Sequence, residues 1–188
     1  MDNGVNGQTK GREAATQAAL ANLVPRLHRF ARVLTGDAVE ADDVVQAACE
    51  RALTRLHQWD PDTRLDSWMF RIVQTTWIDR CRAEATRRPS GSWDEALDVA
   101  SDDGRIVAET RLTLAAVRKQ IAKLPDEQRA VLALVSIDGA SYRQASDALG
   151  IPIGTVMSRL ARARRTLADA LERYIPAPIK KEQPDGQY

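Results

Sequence analysis

Apolar residues along this chain recur mostly at intervals of three and four. Leu27, Phe30, Ala31 and Leu34 make one such series, the spacing that brings side chains onto one face of an α-helix. Pro25 stands where this helix can begin and Gly36 where it can stop. Asp37 and Glu40 have capping-box spacing and predict a second helix to about His57. On it Val45, Ala48, Ala52 and Leu56 form an apolar stripe, while Asp43, Gln46 and Glu50 share the opposite face. After the loop HQWDPDTRLD, a third helix is predicted from about Leu65 to Ala85. A second group of helices is predicted over about 107–123, 126–138, 141–149 and 153–173, with Pro125, Asp126 and Glu127 opening the second of them. No segment alternates as a strand does, and no internal repeat or long low-complexity tract interrupts the pattern. The chain is therefore read as all-α.

The breaks in this pattern divide the chain. Residues 87–104, RRPSGSWDEALDVASDDG, carry a proline, two glycines and many acids, the composition of a linker. The expected organisation is a polar mobile tail over 1–12, a small helical domain over 13–86, a flexible acidic linker over 87–106, a second helical domain over 107–175 and another mobile tail over 176–188. At 188 residues and 44% hydrophobic content, two small cores are within reach. No apolar run approaches the roughly 18 residues of a membrane span, and the N-terminus lacks the apolar segment of a signal peptide, so a cytoplasmic protein without membrane insertion is expected. Cys49 and Cys81 lack CxxC spacing and read as reduced thiols. With only two histidines in the chain, no metal site or other cofactor is expected.

A net charge of +1 conceals segregation. Asp94, Glu95, Asp98, Asp102, Asp103 and Glu109 form an acidic stretch, whereas residues 152–168 contain four arginines and no acid. Just before that basic helix, Ser141 and Gln144 have capping-box spacing, Gly150 can supply a left-handed turn, and Pro152 can start the next helix. This is the pattern of a helix-turn-helix. On its second helix Val156, Leu160, Ala163, Leu167 and Leu171 define the inward face, so Met157, Ser158, Ala161, Arg162 and Arg165 point outward. A helix in a major groove reads bases with its N-terminal half, and arginine can contact guanine or neutralise phosphate. In the first domain Trp59, Trp68, Phe70 and Trp77 lie among Arg64, Arg71, Arg80 and Arg82. Aromatic platforms within a basic surface suit unstacked single-stranded DNA, although Trp68 and Phe70 read better as core.

LPDEQRAVLAL, GASYRQASDALG and IPIGTVMSRLARARRTL together resemble region 4 of the extracytoplasmic-function (ECF) sigma factors of the sigma-70 family. LTGDAVEADDVVQ resembles region 2.2, and DSWMFRIVQTTWIDRCR resembles region 2.4. The resemblance covers about residues 20–174 in the expected order. It implies a region 2 helical bundle and a region 4 helix-turn-helix, core RNA polymerase and promoter DNA as partners, and an anti-sigma factor as inhibitor of a chain that is monomeric when free. It places the dock for a coiled coil of the largest catalytic subunit on Asp42, Asp43 and Gln46, with region 4 meeting the beta flap. It places minus-10 contacts on Trp59, Thr75 and Asp79, and minus-35 readers on Met157, Ser158, Ala161 and Arg162. Arg159, Arg164 and Arg165 are left for phosphate contact or helix packing. Departures occur at Ala47 and Cys49, where the family often has glutamate and an aromatic residue, at Thr75 in place of asparagine, and at Met157 in place of a basic residue. By the same resemblance the acidic linker passes through the polymerase's RNA exit path, although a plain tether explains it equally.

Two other classes compete. A sigma-like decoy that only captures an anti-sigma factor would be expected to carry a receiver domain as well. A stand-alone helix-turn-helix repressor would leave the region 2 resemblance unexplained. An enzyme is disfavoured, because no paired carboxylates, nucleophile–base pair or phosphate-cradling glycine loop is recognisable.

Overall fold

A computed structural model describes residues 4–87 and 105–172. In order these form α1 (Gly4–Thr35), α2 (Ala38–Thr54), a 3-10 turn (Leu56–Gln58), α3 (Leu65–Arg87), α4 (Arg105–Ala122), α5 (Asp126–Leu132), a π turn (Ala133–Ile137), α6 (Tyr142–Leu149) and α7 (Ile153–Leu171). Among the described residues there is no strand, in agreement with the all-α reading. The expected acidic linker falls outside the described residues except at Arg87, which ends α3, and at Arg105 and Ile106, which open α4. The expected C-terminal tail over 176–188 also lies outside them.

The first three helices pack around one another. Leu27, Phe30, Ala31 and Leu34 of α1 are all buried, as the periodicity predicts, and meet Val44, Val45, Ala48 and Ala52 of α2 with Met69, Phe70 and Val73 of α3. The alanines of α2 let its backbone come close to its neighbours, while Phe30 and Phe70 fill the centre edge to face, centroids 5.1 Å apart at 73°. Asp37 caps α2 by accepting the Glu40 N–H at 2.8 Å.

The beginning of α1 differs from expectation. The helix starts at Gly4, so most of the expected tail over 1–12 is helical, and Pro25 lies inside the helix rather than at its start. Residues 12–24 are mainly good helix formers, and once a helix is nucleated each adds a bond at little cost. The carbonyl that Pro25 leaves unpaired belongs to exposed Ala21, where water can satisfy it.

In the second half, Val156, Leu160 and Ala163 of α7 are buried with Ala130, Val131 and Leu134. The helix expected to run unbroken over 126–138 instead widens into the π turn, which closes when the Asp138 N–H donates to the Ala133 carbonyl at 2.9 Å. The two halves then pack against each other, α3 against α6 and α1 against α5 and the π turn.

Candidate nucleic-acid interface and the neighbouring groove

The tight turn between α6 and α7 is built as its residues dictate. Ser141 and Gln144 form a reciprocal box: Ser141 Oγ accepts the Gln144 N–H at 3.2 Å, and the Ser141 N–H donates to Gln144 Oε1 at 2.8 Å. Gly150 takes φ +65°, the left-handed conformation that ends α6. The Ser146 hydroxyl then donates to the Ile151 carbonyl at 2.6 Å, fixing the turn before Pro152 opens α7.

With Val156, Leu160 and Ala163 turned inward, α7 presents Met157, Ser158, Ala161, Arg162 and Arg165 to solvent on one side. Met157 is 52% and Ile153 49% exposed, so the leading edge of this helix is an apolar tip followed by arginine. The guanidinium groups of Arg162 and Arg165 make no ion pair or hydrogen bond among the described residues. The other two arginines are engaged internally. Arg159 pairs with Glu127 of α5, and Arg164 Nη2 donates to Ser136 Oγ at 3.3 Å. Of the two uses foreseen for this pair, phosphate contact or packing, the internal partners favour packing.

In the first half, Asp42, Asp43 and Gln46 all lie exposed on α2. Asp42 meets His28 Nδ1 at 3.0 Å, Asp43 accepts from Arg80 at 3.0 Å, and Gln46 donates to Glu50 at 3.0 Å. Across an open groove of about 510 Å³ lie Thr76, Asp79 and Arg80 of α3. Asp79 pairs with Arg51 at 3.0 Å, so two ion pairs lace α2 to α3 on either side of the groove. Thr75 is exposed, with its hydroxyl turned back onto the Arg71 and Ile72 carbonyls. Trp59 follows the 3-10 turn, half-buried, with its indole N–H enclosed and lacking an acceptor among the described residues. Thus Asp43, Gln46 and Asp79 share one groove, whereas Trp59 and Thr75 do not line it.

The aromatic surface is smaller than the sequence suggests. Phe70 and Trp77 are buried and Trp68 half-buried, so only Trp59 and the edge of Trp68 remain to meet a base. Three of the four accompanying arginines are occupied: Arg64 by Asp66, Arg80 by Asp43, and Arg71 by the carbonyls of Asp147 and Ala148 at the end of α6.

A further group of residues, centred on Arg26 and Asp138, was not singled out by the sequence. Arg26 of α1 donates to both carboxylate oxygens of Asp138, at 2.6 and 3.1 Å, and to Asp66 of α3 at 3.2 Å, while its guanidinium lies 5.3 Å from the centre of the Phe70 ring. Arg29 approaches Asp138 at 3.8 Å. The Asp138 side chain is only 3% exposed. Burial opposes ionisation of Asp66, but hydrogen bonds and charge from Arg64 and Arg26 outweigh it and hold this carboxyl below its usual range. Burial raises both thiols, Cys81 to about 11 with a further contribution from Asp126. Neither is poised as a thiolate.

Residues 114–167 match the family model described as Sigma-70, region 4, and residues 20–74 match the Sigma2 domain of PhyR. The chain is 33% identical over 148 residues to the ECF RNA polymerase sigma factor EcfG of Rhodopseudomonas palustris, covering 79% of this chain and 80% of that protein. It is 31% identical over 173 residues to the ECF RNA polymerase sigma factor SigW of Bacillus subtilis, covering 82% and 90%. Among solved structures it resembles the sigma factor RpoE in complex with the anti-sigma factor NepR from Bartonella quintana, with a TM-score of 0.71 and 25% identity over 84% of this chain and 97% of that one. It also resembles CnrH in complex with the cytosolic domain of CnrY, with a TM-score of 0.63 and 28% identity over 86% and 92%.

Proposed function

Since the chain belongs to the ECF RNA polymerase sigma factors of the sigma-70 family, we propose that it docks on core RNA polymerase through α2 and directs it to promoters whose minus-35 and minus-10 elements it reads with its two halves. The observation that carries this reading is the outward face of α7. It follows the Gly150–Pro152 turn, it carries no acid before Asp169 near its far end, and among the described residues it holds Arg162 and Arg165 without internal partners, which suits insertion of its N-terminal part into a major groove. Met157 cannot donate to guanine, so apolar contact, for example with a thymine methyl, is the recognition it offers.

The dock on the largest catalytic subunit is Asp42, Asp43 and Gln46, which are exposed and whose surface partners His28, Arg80 and Glu50 cost little to exchange for a partner's groups. Trp59 is the residue with most to offer a flipped minus-10 base; Thr75 and Asp79 lie further along the same half. Region 4 meets the beta flap. Because the solved relative RpoE is in complex with the anti-sigma factor NepR, an anti-sigma factor is assigned to this chain as well, and the work takes place in the cytoplasm with the polymerase. Among the described residues no helix is long and apolar enough to cross a membrane.

A second reading has one observation in its favour: the match of residues 20–74 to the Sigma2 domain of PhyR, and PhyR from Bartonella quintana is an anti-anti-sigma factor. Run-off transcription with purified core polymerase on promoter fragments from the source genome decides between them. A sigma factor yields discrete transcripts that depend on the added chain. A decoy yields none but relieves inhibition of another sigma factor.

A further inference from the structure

Two large apolar side chains stand exposed on the leading edge of α7. Ile153 is 49% and Met157 52% exposed, and they lie one helical turn apart on the same face. Among the described residues no other two exposed large hydrophobics share that spacing. Exposed Ala161 continues the row by a further turn. Gly154 leaves the approach beside it open, because a Cβ there would meet nothing within 4 Å. A second row, made of Ser158, Arg162 and Arg165, runs alongside. The outward side of α7 is therefore split lengthwise into an apolar strip and a strip of hydroxyl and guanidinium groups.

The basic strip decides what covers the apolar one. Residues 152–168 hold four arginines and no acid, a charge that complements the phosphate backbone of DNA. The major groove offers an apolar feature to such a helix, the C5-methyl group of a pyrimidine. From Ile153 to Met157 the helix rises about 6 Å, nearly two base-pair steps of about 3.4 Å each. The pair thus has the length to cover methyl groups on two adjacent pyrimidines. Neither side chain donates a hydrogen bond, and only the Met157 thioether accepts one, weakly. The group beside the methyl, O4 of thymine or N4 of cytosine, is accordingly not read by this strip.

We propose that Ile153 and Met157 form a methyl-reading ledge, which takes up the C5-methyl group of a major-groove pyrimidine whether that base is thymine or 5-methylcytosine. The ledge deepens the minus-35 reading of α7 and rests on that reading for its place in the groove. It turns methylation of a cytosine into a gain of contact for this chain. A promoter with cytosine at a ledge position binds more tightly once that cytosine is methylated.

The test removes or adds the methyl group alone. Polymerase holoenzyme carrying the full chain is titrated against duplexes bearing its preferred minus-35 element, with deoxyuridine in place of each thymine of either strand in turn, and with cytosine or 5-methylcytosine at the same positions. At one or two positions deoxyuridine should weaken binding about fourfold, the worth of one buried methyl group, and 5-methylcytosine should bind about fourfold more tightly than cytosine there. Ile153→Ala with Met157→Ala, both at exposed positions where the fold is not at stake, should bind thymine and deoxyuridine duplexes alike. Wild-type affinity unmoved by deoxyuridine at every position would overturn the ledge, and so would a full methyl effect in the double variant. A methyl effect at thymine with none at cytosine would overturn the shared recognition of the two bases. If the double variant binds every duplex as tightly as the wild type, the pair faces a protein instead and the proposal falls. The free chain is titrated against the same duplexes, with run-off transcription read alongside. A methyl effect in a chain that yields no transcript would refute the sigma-factor reading and leave the ledge standing, whereas its absence in a chain that does transcribe would refute the ledge alone.

Discussion

Arg162 and Arg165 sit on one exposed side of α7, three residues apart, and are expected to perform different work. Counting from Ile153 at a rise of 1.5 Å per residue, Arg162 lies about 13.5 Å and Arg165 about 18 Å along the helix axis. The major groove is about 12 Å wide. With its N-terminus inserted, the helix still has Arg162 at the groove's edge, where a long side chain reaches a base, whereas Arg165 is past the wall and beside the backbone. Arg162→Ala should therefore cost about 1–3 kcal/mol on the preferred minus-35 element and relax preference at one base position, an affinity loss of about 5- to 150-fold. Arg165→Ala should weaken all sequences alike and remove one released counterion, lowering the salt slope by about 0.9. Between 50 and 200 mM salt, the wild type would then lose about 3.5-fold more affinity than Arg165→Ala. Polymerase holoenzyme carrying each variant, titrated against single-base minus-35 variants at several salt concentrations, reads both effects. Neither arginine has an internal partner among the described residues, so folding is not at stake. A uniform loss for Arg162→Ala would show that it contacts phosphate, and would rotate the reading face toward Met157 and Ala161.

Asp43→Ala with Gln46→Ala should weaken core polymerase binding in a pull-down titration while costing the fold at most about 1 kcal/mol, because the Asp43–Arg80 pair is exposed; unchanged affinity would remove the α2 dock. Trp59→Ala should impair promoter opening more than polymerase binding, by about 1–3 kcal/mol of lost stacking, and a normal permanganate footprint on linear duplex would dismiss that role. Gly150→Ala forces a side chain into a left-handed conformation, costing about 1–2 kcal/mol; melting should fall by about 2–8 °C, and an unshifted transition would contradict the strain argument. Cys81 holds its proton to about pH 11 when folded but ionises near its ordinary pKa of about 9 when unfolded, so above that pH the unfolded chain binds fewer protons and stability falls. Urea titrations at pH 8 and 10 should show a smaller pH loss for Cys81→Ser than for the wild type, and equal losses would refute the assignment.

Local features of this fold were legible because local chemistry decides them. Ser141 with Gln144, Gly150 and Pro152 specify a cap, a left-handed turn and a restart within a dozen residues, and the structure realises each one. The apolar stripes of α1, α2 and α7 were legible for the same reason. Pro25 misled because proline marks a possible helix start, whereas the alanine-rich segment before it sustains helix through that position. The aromatic residues of α3 were ambiguous: Phe70 and Trp77 belong to the core, and composition cannot separate a buried ring from a stacking platform. The contact between the halves was out of reach. Arg26 and Asp138 are 112 residues apart; in the sequence one looks like a solvated helix arginine and the other like a turn residue before Gly139. What brings them together is the π turn, whose i→i−5 closure has no compositional mark.

That turn is an α-helix containing one residue more than regular geometry requires. In the gene the surplus is a single codon. Losing it would let residues 133–137 relax into ordinary helix and swing everything immediately downstream by about 100° and 1.5 Å, carrying the Asp138 carboxylate off the Arg26 guanidinium without changing the identity of any residue proposed above to contact DNA or polymerase. Restoring the codon would bring it back. An in-frame insertion or deletion at this one helix end would therefore make or break the attachment between the halves, separately from any change in the residues proposed for promoter recognition.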